Sequence, residues 1–260
     1  MQPARDQTTT ELLLGSVARL NDRRVSAEQI DHLAAQLHTT TGVVDPYPHI
    51  AQTYRTLVDL ELRCVGRIAG TTSNVIGKLA AAPLLAGAGS GSLRVLEIGT
   101  LFGVFAAGLH RQLLRYGKEH DLTIVDPLES IQLQPERERA GDPSGTPVTE
   151  ATVRANMRFG GVDTERLRIV RGFSTDAEVQ EQVGEGYDLI VVDGDHSRAG
   201  VFKDLRWAEE IANPGAVVVV DDYGDPGWPG VAEALDDHRK GGSRMRLAGV
   251  VATSAFLTLP

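Results

Sequence analysis

The sequence predicts an α/β fold built on one mostly parallel sheet with helices on both faces, and three observations predict it. Short β-branched runs, LRVLEIG, LTIVD, LRIVRG, YDLIVVD and AVVVVDD, alternate with stretches long enough for crossover helices. These runs are apolar throughout rather than alternating, as strands buried on both faces are. The chain then closes on MRLAGVV and SAFLTL, separated only by Ala252 and Thr253, a link too short for a parallel crossover. One of these last two strands therefore runs antiparallel to the rest, and the sheet has seven strands.

Residues 1–86 read as helical, with apolar residues three and four apart in TELLLGSVARL, in AEQIDHLAAQL and from Ile50 to Ile68. Ser26 followed by Gln29 has the form of a capping box, and Pro46 and Pro48 mark a break before the third helical stretch. The Gly/Ser/Ala-rich AGAGSGS is the clearest boundary, dividing a helical region over 1–86 from a sheet-bearing domain over 92–260. The segment from Leu128 to Thr149, polar and holding three prolines, reads as a long mobile loop. With 260 residues and 42% hydrophobic content, the chain has the material for one substantial core.

Several classes of function are disfavoured by composition. The chain has 26 basic and 35 acidic residues, a net charge of -9, so a polynucleotide would meet repulsion. No apolar run reaches membrane-spanning length and the polar start lacks a secretory signal, so no membrane partner and a cytoplasmic location are expected. The lone cysteine, Cys64, has no internal disulfide partner and reads as a small core residue.

In an open parallel sheet, ligands bind beyond the carboxyl ends of the strands. The first strand runs through Glu97 into Gly99-Thr100-Leu101-Phe102-Gly103, where two glycines let the backbone pass close to a ligand at the start of a helix. The second ends at Asp126, placed to accept the hydroxyls of a ribose. The spacing of Gly99 and Gly103 differs from the Gly-x-Gly-x-x-Gly turn that cradles a pyrophosphate, which argues against a nicotinamide-dependent oxidoreductase.

VLEIGTLFG followed by an acid-terminated strand resembles class I S-adenosylmethionine-dependent methyltransferases, with their Rossmann-like seven-stranded sheet. The resemblance spans roughly residues 92–260. It implies that Glu97, Gly99, Thr100 and Gly103 serve the methionine end of S-adenosyl-L-methionine, that Asp126 holds its ribose, that Ser174 in RGFSTD approaches the adenine, and that Asp193 also borders the cofactor.

YDLIVVD ends at Asp193 and AVVVVDD at Asp221 and Asp222, so neighbouring strands bring three carboxylates to one edge, where they repel unless something positive lies between them. A divalent cation, Mg2+ or a similar hard ion, is the expected answer, against the alternative that the acids only cap helices. The arrangement resembles metal-dependent small-molecule O-methyltransferases, of the catechol type and of natural-product sugars. There a lysine base follows the acid of strand four by three residues and an Asp-Asn pair closes strand five; here His196 and Asp221-Asp222 stand at those positions. His196 is thus the expected catalytic base, with Asp195 in reserve, and Trp228 and Tyr223 are candidates for the acceptor pocket wall. The expected reaction is methylation of a small-molecule hydroxyl, probed against a metal-independent enzyme of the same fold and a non-catalytic interaction module. The N-terminal helices are expected to form a lid or a homo-oligomer interface.

Overall fold

The computed structural model describes residues 23–87, 91–129 and 146–260. The helical stretch TELLLGSVARL and most of the Leu128–Thr149 loop lie outside the described residues. Three helices lead. Helix α1, Ala27–Thr41, starts at the expected capping box: Ser26 Oγ accepts from Gln29 N at 3.1 Å, and Gln29 Oε1 accepts from Ser26 N at 2.9 Å. It stops at Gly42, whose φ of 73° a side chain would disfavour. Helix α2, Tyr47–Arg63, begins directly after Pro46 with Pro48 in its first turn, where a missing N–H costs nothing. Cys64 caps it, half-buried, and burial pushes the thiol up to about 11. Helix α3, Thr72–Leu85, lies within the region read as helical to residue 86 but beyond the three stretches singled out there.

The alternating part follows as β1 Leu93–Ile98, α4 Val104–Arg115, β2 His120–Asp126, α5 Glu150–Gly160, β3 Leu167–Arg171, α6 Ala177–Val183, β4 Tyr187–Val192, α7 Arg198–Ile211, β5 Ala212–Val220, α8 Pro229–Lys240, β6 Arg246–Val251 and β7 Ser254–Thr258. The seven strands lie in the order β3-β2-β1-β4-β5-β7-β6. The first five are parallel, and β7 runs antiparallel to both β5 and β6, with Val219 opposite Phe256. Chain order reverses between β1 and β4, which opens a crevice at their carboxyl ends.

Side chains alternate across the sheet and so divide between two apolar layers. Val217 and Val219 of β5, Leu189 and Val191 of β4 and Phe256 of β7 face one layer; Val218, Val220, Ile190, Val192 and Leu257 face the other. The second layer is closed by α6, α7 and α8, through Val179, Leu205 and Leu235. The first is closed by α4 and α5 and also by α1, α2 and α3, whose Leu33, Leu57 and Leu79 pack in the same cluster as Val217 and Phe256. The N-terminal helices are therefore one covering layer of the sheet, sharing its core.

Leu79, fully buried on α3, tests this arrangement. Leu79→Ala is expected to destabilise the whole chain by about 2–5 kcal/mol in urea unfolding followed by circular dichroism, with a single transition retained. An unchanged midpoint, or an early separate loss of helix, would contradict the shared core.

Candidate active site

At the end of β1 the chain turns sharply. Gly99 has φ 81°, and a Cβ there would stand 2.3 Å from the carbonyl oxygen of Asp193 and 2.5 Å from Gly194 Cα. This glycine is dictated by the close approach of the β1 and β4 ends at the crevice, where the sequence reading assigned it only to room for a ligand. Gly103 is dictated by its φ of 75° and by Val153, whose Cγ1 would lie 2.9 Å from a Cβ; it is absent from the cavity wall. Leu101 takes φ 54°, a costly conformation held by its surroundings.

Asp126, at the end of β2, supplies part of that hold. Its Oδ2 accepts from Thr100 N at 2.8 Å and Leu101 N at 3.3 Å, and its Oδ1 from Leu128 N at 2.8 Å. A carboxylate offers about four acceptor positions, so one remains on Oδ1 for a ligand. Burial raises the Asp126 pKa against the pull of these amides. Glu97, buried one strand residue earlier, accepts from the Thr100 hydroxyl; burial pushes its pKa up to about 8, with Asp193 adding to the shift.

Beyond β3, Ser174 Oγ donates to Asp204 Oδ1 at 2.5 Å. Asp204 is on α7, 1% exposed, and burial pushes its carboxyl up to about 6. Its Oδ2 is buried with no hydrogen-bond partner among the described residues. The sequence reading missed Asp204, though its place among Val201, Leu205 and Ala208 is the core-facing position of an amphipathic helix, and a carboxylate there requires an explanation.

The acids at the ends of β4 and β5 do converge. Successive strand residues point to opposite faces, so Asp221 and Asp222 could not both enter the cleft if β5 ran straight on. Asp222 instead adopts φ 55°, which Asp tolerates better than most residues, and its Oδ2 meets His196 Nε2 at 3.0 Å. Asp193 Oδ1 is 3.7 Å from the same nitrogen. The His196 ring is buried and lies 4.6 Å from the Trp228 ring. Burial alone favours the neutral imidazole, but the hydrogen bond to Asp222 and the charge of Asp193 outweigh it and raise the pKa. Asp195 is exposed and accepts from Ser197 N at 2.7 Å, and Tyr223 packs on the core outside the cavity wall.

The positive charge between the acids is Lys78 of α3. Its Nζ donates to Asp221 Oδ2 and to Asp193 Oδ2, the latter at 3.2 Å, and stands 4.6 Å from the Phe105 ring centroid. One turn earlier on the same helix face, Asn74 Nδ2 donates to Asp221 Oδ1 at 2.7 Å, and Ser254 Oγ donates to that oxygen at 2.8 Å. Burial alone would strip the ammonium of its proton, but Asp193 and Asp221 hold its pKa above the ordinary value. Asp221 is in turn held low by Lys78 and Asn74, while burial and Asp221 push Asp193 up to about 8. The three-aspartate Mg2+ site expected from the sequence does not fit this donor set: Asp221 already accepts from Lys78, Asn74 and Ser254, and the ammonium bridges it to Asp193 in the place such an ion would take. Among the described residues no group of three or more His, Cys, Asp or Glu is arranged to hold a metal ion. Lys78 was missed, although it is the one charged residue in TSNVIGKLAAAPLL.

One cavity of about 580 Å³ unites these groups, a size suited to a small-molecule site. Its wall includes Glu97, Gly99, Thr100, Asp126, Ser174, Asp193, His196, Asp221 and Asp222, together with Asn74, Lys78, Asp204 and Trp228.

Residues 96–223 match a family model described as a methyltransferase domain. Solved structures share the fold over most of the chain. Cofactor-bound Rv0187 from MTB is 20% identical, with a TM-score of 0.53, over 91% of this chain and 98% of that one. The O-methyltransferase NovP is 21% identical, with a TM-score of 0.54, over 89% and 99%. CalS11, a calicheamicin methyltransferase, is 17% identical, with a TM-score of 0.51, over 90% and 94%. No curated protein sequence matches the chain closely enough to count as a relative.

The His196 environment sets a measurable titration. By NMR of labelled histidines, its imidazole is expected to titrate above the usual value of about 6.5, and Asp222→Asn is expected to bring the midpoint down. A midpoint at or below the ordinary value in the unaltered chain would contradict the His196–Asp222 pairing.

Proposed function

We propose that this chain, whose residues 96–223 match a methyltransferase-domain family model, transfers a methyl group from S-adenosyl-L-methionine to a hydroxyl of a small molecule. The carrying observation is the single cavity in which a nucleoside-compatible half, from Gly99 to Asp204, meets a His196–carboxylate half. The residues present fit the cofactor at two points. The remaining acceptor position of Asp126 suits a ribose hydroxyl. The orphan Oδ2 of Asp204 suits a ligand that donates hydrogen, as the exocyclic amine of adenine does, with Ser174 beside it. When bound, the cofactor supplies an electrophilic methyl and departs as S-adenosylhomocysteine.

The chain's own contribution is to orient the acceptor and to receive its proton. With Nε2 set against Asp222 Oδ2, the His196 ring in its neutral form is the proposed proton acceptor. The acceptor oxygen gives up its proton there as it bonds to the methyl carbon, and the imidazolium is stabilised by Asp222 and Asp193. Trp228 packs against the ring and limits its motion. The roles given to these residues need no divalent cation, since Lys78 already lies between Asp193 and Asp221, and Asn74 and Ser254 bind Asp221. The shared fold with the calicheamicin methyltransferase, together with the sequence resemblance to natural-product sugar O-methyltransferases, supports a natural-product acceptor, with a sugar hydroxyl as the preferred class.

S-adenosylhomocysteine is expected to bind the full chain in calorimetric titration, and Asp204→Ala to weaken that binding about 10-fold. His196→Gln is expected to leave binding unchanged while lowering methyl transfer to a sugar-hydroxyl acceptor by about 10²–10⁴-fold. In the unaltered chain the rate should rise with pH through the raised His196 pKa, since only the neutral ring accepts a proton. Absence of S-adenosylhomocysteine binding would overturn the proposal.

A further inference from the structure

We infer that Lys78 is the resident cation of the methyl-transfer site, occupying the position between Asp193 and Asp221 that these acids would otherwise offer to a divalent ion. The inference rests on the methyltransferase reading above, and it concerns a residue outside the matched 96–223 segment.

Position carries the first part. An ion bridging Asp193 and Asp221 through their facing Oδ2 atoms would contact the two oxygens that Lys78 Nζ already contacts. Mg2+ sits about 2.0–2.1 Å from its oxygen ligands, so ion and ammonium cannot share the place. An ion displaced toward the cleft would face an ammonium that is 2% exposed, with little solvent to screen the repulsion.

Immobility carries the second part. Lys78 is on a helix that is buried on nearly every side, beneath the Phe105 ring, and Asn74 of the same helix fixes Asp221 from its other oxygen. The ammonium cannot swing out to make room without leaving a buried charge unpaired, which is strongly unfavourable. Withdrawing it would also leave Asp193, Asp221 and Asp222 facing each other with His196 as their nearest cation.

The role follows from geometry. By holding Asp193 through Oδ2, Lys78 leaves Oδ1 turned toward His196, and by neutralising Asp221 it leaves Asp222 as the carboxylate bonded to the imidazole. Lys78 is therefore a positioning residue: it acts on the acceptor through the two acids and the histidine.

The test reads metal binding and methyl transfer separately on the full chain. Mn2+, followed by loss of the free-ion EPR signal, is expected not to bind the unaltered protein stoichiometrically, and Lys78→Arg should behave the same way. Lys78→Ala is expected to tighten Mn2+ binding by about 10–100-fold, and Asp222→Asn in that background to abolish the gain. Methyl transfer by the unaltered protein should withstand EDTA, fall about 10²–10³-fold in Lys78→Ala, and recover in part when Mg2+ is added to that variant. Stoichiometric Mn2+ binding to the unaltered protein, or loss of its activity in EDTA, would overturn the inference. These two readings use no variant, so they decide the matter even where Lys78→Ala does not fold. A chain that binds neither S-adenosylhomocysteine nor Mn2+ would refute the proposed reaction while leaving the cation assignment standing.

Discussion

Three carboxylates at the ends of two adjacent buried strands are the constraint around which this molecule is arranged. Left alone they would repel at close range in a medium of low dielectric, or take up protons to relieve the repulsion. The chain meets the difficulty with a lysine brought from far away in sequence, 115 residues before Asp193 and 143 before Asp221. That choice fixes the path of the N-terminal helices. For Lys78 and Asn74 to reach the acids, α3 has to lie across β5, β6 and β7, and once it lies there its apolar surface becomes part of the core. The electrostatics of the site and the packing of the first helices are thus one requirement.

A second consequence appears in the backbone. The crevice between β1 and β4 is narrow enough that Gly99 admits no side chain, and the cleft end of β5 needs Asp222 in a left-handed conformation to turn a second acid inward. Leu101 carries the same strain on the opposite wall, secured by amides that point to Asp126. Strained residues gathered around one cavity, each held by a hydrogen bond or a close contact, are how a pre-shaped site differs from an ordinary strand-to-helix turn.

The periodicities exposed in the sequence carried the sheet, its antiparallel seventh strand and the acid-tipped strand ends, because each is local: a run of β-branched residues, a two-residue link, an aspartate at a boundary. The convergence of Asp193, Asp221, Asp222 and His196 was legible for the same reason. The need for positive charge among them was also legible, but its source was not, because Lys78 pairs with residues more than a hundred positions away and nothing local marks the pairing. Its isolation in an otherwise uncharged helix was the available signal. Asp204 was hidden in a similar way, since one acid on the buried face of α7 gains meaning only when the loop carrying Ser174 is seen beside it. Gly99 was singled out for a reason that was incomplete: the approaching atoms belong to Asp193 and Gly194.

The two halves of the cavity differ in where their residues come from, and this bears on how such a site changes. On the proposed assignment, every group placed on the cofactor side, Glu97, Gly99, Asp126, Ser174 and Asp204, falls inside the segment that matches the methyltransferase-domain model. The other half combines Asp193, His196 and Asp222 from that segment with Asn74 and Lys78 before it and Trp228 and Thr253 after it. A nucleoside cofactor is the same molecule for every enzyme that uses it, so its half can be carried by the domain alone. The half proposed for the acceptor draws on elements that flank the matched segment, so a change in α3 or in the β6–β7 turn would alter that wall and its charge without touching the turn at Gly99. The division also explains why α3 belongs to the core: a helix that sets the charge state of the reacting edge has to be held as firmly as the strands whose acids it neutralises.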